Sequence, residues 1–175
     1  MYLFLPGNDK GNKQWCESLR DSFDEKDKLM LFYNHWIGEG NIDWNTELDK
    51  IMGLKIQGKT YVIGKSAGCI LGLKAQKLGY IDVDRYIFIG FPYYWAKERK
   101  DEVDYLLDNL KTPSLFIQKP KDPVMGYKEL KTLLNAKSLN VKTLEYKSNG
   151  EPDSDHHYAD IQYLKECIQE YLKSS

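Results

Sequence analysis

With 175 residues, 42% of them hydrophobic and 29% charged, the chain has the balance of one globular domain over residues 1–175 and not of a disordered or fibrous segment. A net charge of −1, with no basic stripe to follow a phosphate backbone, argues against nucleic acid as a partner. No apolar run approaches the length of a membrane span and the opening "MYLFLPG" lacks a charged leader, so the expectation is a cytoplasmic protein without a membrane partner.

Short apolar runs alternate with amphipathic stretches, the pattern of an α/β chain folded as a three-layer, doubly wound, mostly parallel sheet. Six strands are expected, at 2–5 (YLFL), 28–33 (KLMLFY), 60–64 (TYVIG), 85–90 (RYIFIG), 114–118 (SLFIQ) and 141–146 (VKTLEY). Between and after them the periodicity predicts helices near 12–25, 44–57, 67–78, 97–110, 126–136 and 158–173. Right-handed crossovers would bring every strand-to-helix loop to one edge of the sheet, where open sheets of this kind bind their ligands. The three cysteines, Cys16, Cys69 and Cys167, are odd in number and fall in helical patterns, so they read as thiols of a reducing compartment and not as a disulfide frame or a metal set.

The stretch "VIGKSAGCILG" (62–72) admits two motifs. A phosphate-binding loop needs a glycine five positions before Gly64, where Lys59 stands, and "KTYVI" reads as a strand instead of a loop. Gly64-Lys65-Ser66-Ala67-Gly68 fits G-x-S-x-G, the bend that lifts a nucleophilic serine between a buried strand and a helix, the strand being "KTYVIG" and the helix "AGCILGLKAQKLG". The competing structural role for Ser66 is a hydroxyl cap of that helix.

A serine hydroxyl needs a base, usually an imidazole oriented by a carboxylate, and on such a scaffold the chain order is Ser, acid, His. His35 precedes the serine and reads as a rim residue. His156 and His157 follow the sixth strand, in "KSNGEPDSDHHYAD", and either would serve at the start of the last helix. Asp122, directly after the fifth strand, is the candidate acid, against the plainer reading of an Asp-Pro turn. Asp82 and Asp84 lie at the opposite edge, and Asp153 and Asp155 read as caps of the last helix.

The oxyanion of acyl transfer needs amide donors, which the order of elements assigns to the N–H groups of Ala67 and Asn8. Phe91, Tyr93, Tyr94 and Trp95 either line an acyl pocket or pack their helix on the sheet. Lys65 reads as a solvated lysine, and Trp15 and Trp44 as helix-to-sheet core.

Over nearly the whole length these features resemble the α/β-hydrolase superfamily, and in particular its small, lidless members such as the retinoblastoma-binding-protein-like serine hydrolases. The segments that carry the likeness are "FLPGN", Trp15, "DWNTELDKI", "VIGKSAG", "KDPVMG" and "DHHYAD". The chain departs from the common pattern at Lys65, where histidine is more frequent, and at Pro6-Gly7 in place of His-Gly. The resemblance implies a minimal α/β-hydrolase fold, with Ser66 as nucleophile, Asp122 as orienting acid and His156 or His157 as base; the pattern Asp-His-x-aromatic favours His156, whereas a direct His-aromatic pattern selects His157. It implies a serine hydrolase of the carboxylesterase type, acting on a small acyl substrate without metal or cofactor, as a monomer or weak homodimer. The alternative is a hydrolase-like, non-catalytic binding domain.

Overall fold

A computed structural model describes residues 1–38, 40–54, 56, 58–147 and 150–174. Six strands form one sheet: β1 (Tyr2–Leu5), β2 (Lys28–Met30), β3 (Tyr61–Lys65), β4 (Arg85–Ile89), β5 (Ser114–Gln118) and β6 (Lys142–Glu145), in the order β2-β1-β3-β4-β5-β6. All five pairings are parallel, with Leu3 opposite Val62, Ile63 opposite Ile87 and Phe88 opposite Phe116. The helices are α1 (Asn12–Ser22), α2 (Trp44–Gly53), α3 (Ala67–Lys77), α4 (Tyr93–Glu98), α5 (Val103–Asp108), α6 (Tyr127–Ala136) and α7 (Ile161–Lys173). No helix among the described residues is long and apolar enough to cross a membrane.

The two-residue period of the strands divides the core between the faces of the sheet. Leu3, Leu5, Val62, Tyr86, Phe88 and Phe116 join the buried residues of α2, α3, α5 and α6 on one face. Phe4, Ile63, Ile87, Ile89, Leu115 and Ile117 meet Cys16 and Leu19 of α1 and Leu164 and Ile168 of α7 on the other. Strands apolar on both sides are what a sheet covered by helices requires. The order reverses direction at the β1/β3 boundary, so the carboxyl ends of these two strands flank the crevice where such sheets place their site.

α1 and α2 end earlier than the sequence pattern, at Ser22 and Gly53, and three further boundaries differ from it. β2 ends at Met30 instead of Tyr33: Leu31 N–H still bonds Phe4 O at 3.0 Å, but the chain then turns through a 3-10 segment at Asn34–Trp36. The helix expected over 97–110 is two helices, broken where Lys100 and Glu102 take φ of 60° and 53° around buried Asp101. Asp101 accepts from Trp44 Nε1 at 2.6 Å and faces Arg99 at 3.2 Å, tertiary partners that outweigh helix continuity. The last helix starts at Ile161 with Asp160 as its N-cap, accepting from Tyr163 N, so neither Asp153 nor Asp155 caps it.

Candidate active site

β3 passes into α3 through Ser66, whose φ of 50° and ψ of −120° are a strained conformation for a residue with a side chain. The flanking glycines are required by space. A Cβ on Gly68 would stand 1.9 Å from Leu5 O, and one on Gly64 would stand 2.8 Å from Cys69 N. The Ser66 side chain makes no cap to α3, which removes the capping role as the reason for its place. Its N–H instead bonds Ile89 O at 3.0 Å, locking the bend to the neighbouring strand. Cys69, one turn on, is fully buried and burial pushes its thiol well up, so it stays protonated core.

Of the two tandem histidines, the structure brings His156 to the acid. Asp122, 4% exposed, receives His156 Nδ1 at 2.8 and 3.0 Å on its two oxygens. A carboxylate can only accept, so Nδ1 carries the hydrogen, and in the neutral ring the lone pair is then on Nε2. That Nε2 is buried and has no hydrogen-bond partner among the described residues, Ser66 included. The ring nonetheless stands at the serine's neighbour: strand register sets Lys65 opposite Ile89, hence Ser66 beside Gly90, and a Cβ on Gly90 would meet His156 Cε1 at 2.7 Å. His157 is exposed, its backbone N–H bonded to Asp155. His156 lies five residues ahead of α7, not at its N-terminus.

Asp122 also makes the turn contact expected of an Asp-Pro sequence, accepting from Val124 N–H at 3.0 Å, so one carboxylate holds both the imidazole and the turn. A third donor reaches it. Tyr158, fully buried, donates its hydroxyl to Asp122 Oδ2 at 2.6 Å and accepts from Lys119 N–H at 3.1 Å. Burial first, and then the neighbouring carboxylate, push the Tyr158 phenol well up, which keeps it a donor.

Around the loop after β1, the Asn8 peptide is held from behind. Its carbonyl accepts from His35 Nε2 at 2.6 Å and Trp36 Nε1 at 3.0 Å, while its side chain accepts from Ile42 N–H and donates to Asn41. Tyr33 OH bonds Pro6 O at 2.7 Å in the same way. The Asn8 N–H donates to nothing among the described residues. Ala67, as the first residue of α3, likewise has no helical acceptor for its N–H. His35 is therefore no idle rim residue: it holds the Asn8 carbonyl, on the peptide that follows the Asn8 N–H.

Lys65 departs from the expected solvated lysine. It is 4% exposed, donates to Asn12 Oδ1 at 2.5 Å and sits 5.3 Å from the Trp15 ring, and burial lowers its pKa to about 8. The reason is the strand period, which turns Lys65 with Phe4 and Ile63 toward α1. Trp15 is correspondingly not plain core, since its Nε1 donates to Tyr158 O at 2.6 Å. The aromatic cluster packs: Phe91 is buried against Phe88 and Phe116, Tyr93 bonds Asp104, and Trp95 meets Trp44 and Arg99. Tyr94 alone of the four stays exposed.

No family model matches the sequence and no curated protein matches it at significant similarity. Solved structures do. The esterase Est1E of Butyrivibrio proteoclasticus, solved with ferulic acid, superposes with a TM-score of 0.71 at 12% identity over 98% of this chain and 87% of its own. A Pectobacterium atrosepticum protein classed as a YdeN-like hydrolase gives 0.69 at 14% identity, covering 99% and 90%. Mouse α/β hydrolase domain-containing protein 10 gives 0.63 at 15%, covering 98% and 89%. The chain has the α/β-hydrolase fold. At these identities the likeness speaks for the architecture, and the chemistry has to be argued from the site.

Two further residues of this hydrolase-fold site were not singled out by sequence. Gln118, at the end of β5, accepts from Phe91 N–H and donates to Met125 O, both at 2.7 Å, tying the loops after β4 and β5. Lys119 next to it is 1% exposed and binds Glu151 at 3.0 Å, Asp155 at 2.7 Å and Pro152 O at 2.9 Å, fastening the histidine loop to the sheet. Only their position, polar residues at the carboxyl end of a buried strand, marked them in the sequence. Among the described residues no group of three or more His, Cys, Asp and Glu side chains is placed to hold a metal.

Proposed function

We propose that the protein is a serine hydrolase that cleaves a carboxylic ester or related acyl bond through a covalent intermediate on Ser66. The observation that carries this reading is His156: one ring nitrogen bound to a buried carboxylate, the other buried and free of any partner among the described residues, with the ring packed at Gly90, which follows the β4 residue paired with Lys65 next to the strained Ser66 elbow. Such an imidazole is fixed in the tautomer of a base.

As Ser66 Oγ attacks the acyl carbon, His156 Nε2 takes its proton and Asp122 steadies the imidazolium. The oxyanion develops toward the N–H groups of Asn8 and Ala67. The imidazolium then returns the proton to the leaving oxygen, the acyl–oxygen bond breaks, and the acyl group remains on Ser66. A water, losing its proton to Nε2, attacks the acyl-enzyme; acid is released and Ser66 regains its hydrogen. In the resting enzyme Nε2 and Ser66 need not be bonded, since catalytic hydrogen bonds often close only around the substrate.

Labelling with a fluorophosphonate probe tests this. The wild type and His157→Ala should label, and Ser66→Ala and His156→Ala should not. Absence of labelling in folded wild-type protein would favour a non-catalytic binding domain, and undiminished ester hydrolysis by Ser66→Ala would refute the assignment.

A further inference from the structure

Two lysines are buried at the carboxyl edge of the sheet, and the chain treats them differently. Lys119 is surrounded by its own counter-ions, Glu151 and Asp155, and by the Pro152 carbonyl. Lys65 has a neutral amide oxygen from Asn12 and the face of Trp15, and no carboxylate within ion-pairing distance among the described residues. A buried ammonium without a counter-ion is costly, and a fold keeps one where something else supplies the charge.

Lys65 looks into a cavity of about 260 Å³ between the start of α1 and the histidine loop. Trp15, Asn12, His157 and Ala159 line it, and His156 forms part of its wall, so it adjoins the proposed base. Two carboxylates act on Lys65 only at a distance, without forming an ion pair: Asp122, whose oxygens bond His156 and Tyr158, and exposed Asp9, which also borders the cavity and turns its Oδ1 to Gly11 N–H at 2.7 Å.

We infer that this cavity receives a carboxylate-bearing arm of the substrate, with Lys65 as the counter-ion and Trp15 as the apolar wall beside the chain that carries it. The inference rests on the hydrolase reading of Ser66 and names the substrate class for it: an acyl ester with a free carboxylate on one arm.

The test uses matched esters of wild type and Lys65→Met. One pair differs on the acyl side, 4-nitrophenyl hydrogen adipate against 4-nitrophenyl hexanoate; the other differs in the leaving group, 3-carboxy-4-nitrophenyl butyrate against 4-nitrophenyl butyrate. In wild type the charged member of one pair should be favoured about tenfold or more in kcat/KM, the worth of one charge-assisted contact, and in Lys65→Met that ratio should fall toward unity. The favoured pair identifies the arm. In parallel, calorimetry on Ser66→Ala should show binding of adipate and none of hexan-1-ol, with adipate binding lost in Ser66→Ala/Lys65→Met. Equal rates on both pairs in wild type, or a preference that survives Lys65→Met, overturns the inference, and the wild-type ratio decides even if the variant does not fold. If all four esters are inert yet adipate binds in a Lys65-dependent way, the cavity assignment stands and the reading of Ser66 falls. If nothing is turned over and nothing binds, both fall.

Discussion

Replacing Lys65 by methionine should raise stability at neutral pH, because the folded state carries a charge it does not neutralise. Burial lowers the Lys65 pKa to about 8 from an ordinary 10.5. That gap of about 2.5 pH units, at 1.36 kcal/mol each, corresponds to a penalty on the order of 3 kcal/mol on the folded state wherever the ammonium is charged in both states. The sign follows from proton counting. Below about pH 8 folded and unfolded chains both hold the proton and the penalty is complete. Between 8 and 10.5 the unfolded chain holds more protons, so wild-type stability gains with rising pH through that window. Methionine keeps the unbranched stem against Trp15 and removes the penalty, but loses the bond to Asn12, worth about 1 kcal/mol. The net expectation is a gain of about 1–2 kcal/mol at pH 7. Urea unfolding followed by circular dichroism at half-unit steps from pH 7 to 10.5 measures it, and taking the variant-minus-wild-type difference cancels the other titrating groups. The advantage of Lys65→Met should shrink steadily above pH 8. A variant that is less stable than wild type by the same amount at every pH would show that Asn12 and Trp15 satisfy the ammonium, and the argument from a missing counter-ion would fail.

Gly68→Ala should cost about 3 kcal/mol or more, since the added Cβ would lie 1.9 Å from the backbone oxygen of Leu5 and no side chain can yield to it; unfolding within about 1 kcal/mol of wild type would contradict the reading of the elbow. Tyr158→Phe removes the hydroxyl that donates to Asp122 and leaves the Lys119 N–H without its acceptor, so stability should fall by about 2 kcal/mol and fluorophosphonate labelling should slow about tenfold. Labelling at the wild-type rate in a folded Tyr158→Phe would show that His156 and Asp122 need no third partner.

What the sequence reveals here follows from how far each residue's partner lies along the chain. β1, β3, β4 and β5 have periods that are complete within five or six residues, and their boundaries agree with the structure to within one residue. The elbow is local too, because Gly64 and Gly68 answer to a bend between adjacent elements. Asp122 and His156 are 34 residues apart, but the rule that loops after parallel strands share an edge places both on the side where they meet. Asp155 misleads for the opposite reason: it resembles a helix cap in sequence, yet its partner, Lys119, is 36 residues away and no local signal announces it. The break at Asp101 is set by Trp44, 57 residues upstream. Lys65 is the sharpest case. Its immediate neighbours Gly64 and Ser66 say nothing about burial, which is imposed by α1 laying Asn12 and Trp15 over it.

The same long-range contacts explain why the site is built as a set of clamps. The groups of the proposed site are steadied by residues from different loops: the Asn8 carbonyl by His35 and Trp36, Asp122 by Tyr158, the His156 loop by Lys119. With no long insertion after β4 to cover the crevice, rigidity has to come from the loops themselves, and hydrogen bonds from buried side chains are the short-range means available. Lys65 stands apart from that arrangement. Among the described residues Lys119 and Asp122 join segments through bonds between a carboxylate and a donor side chain, whereas the Lys65 ammonium ties β3 to α1 through a neutral amide alone and borders the cavity. An ammonium buried at a cost to the fold with only a neutral bonded partner is best explained by what enters the cavity beside it.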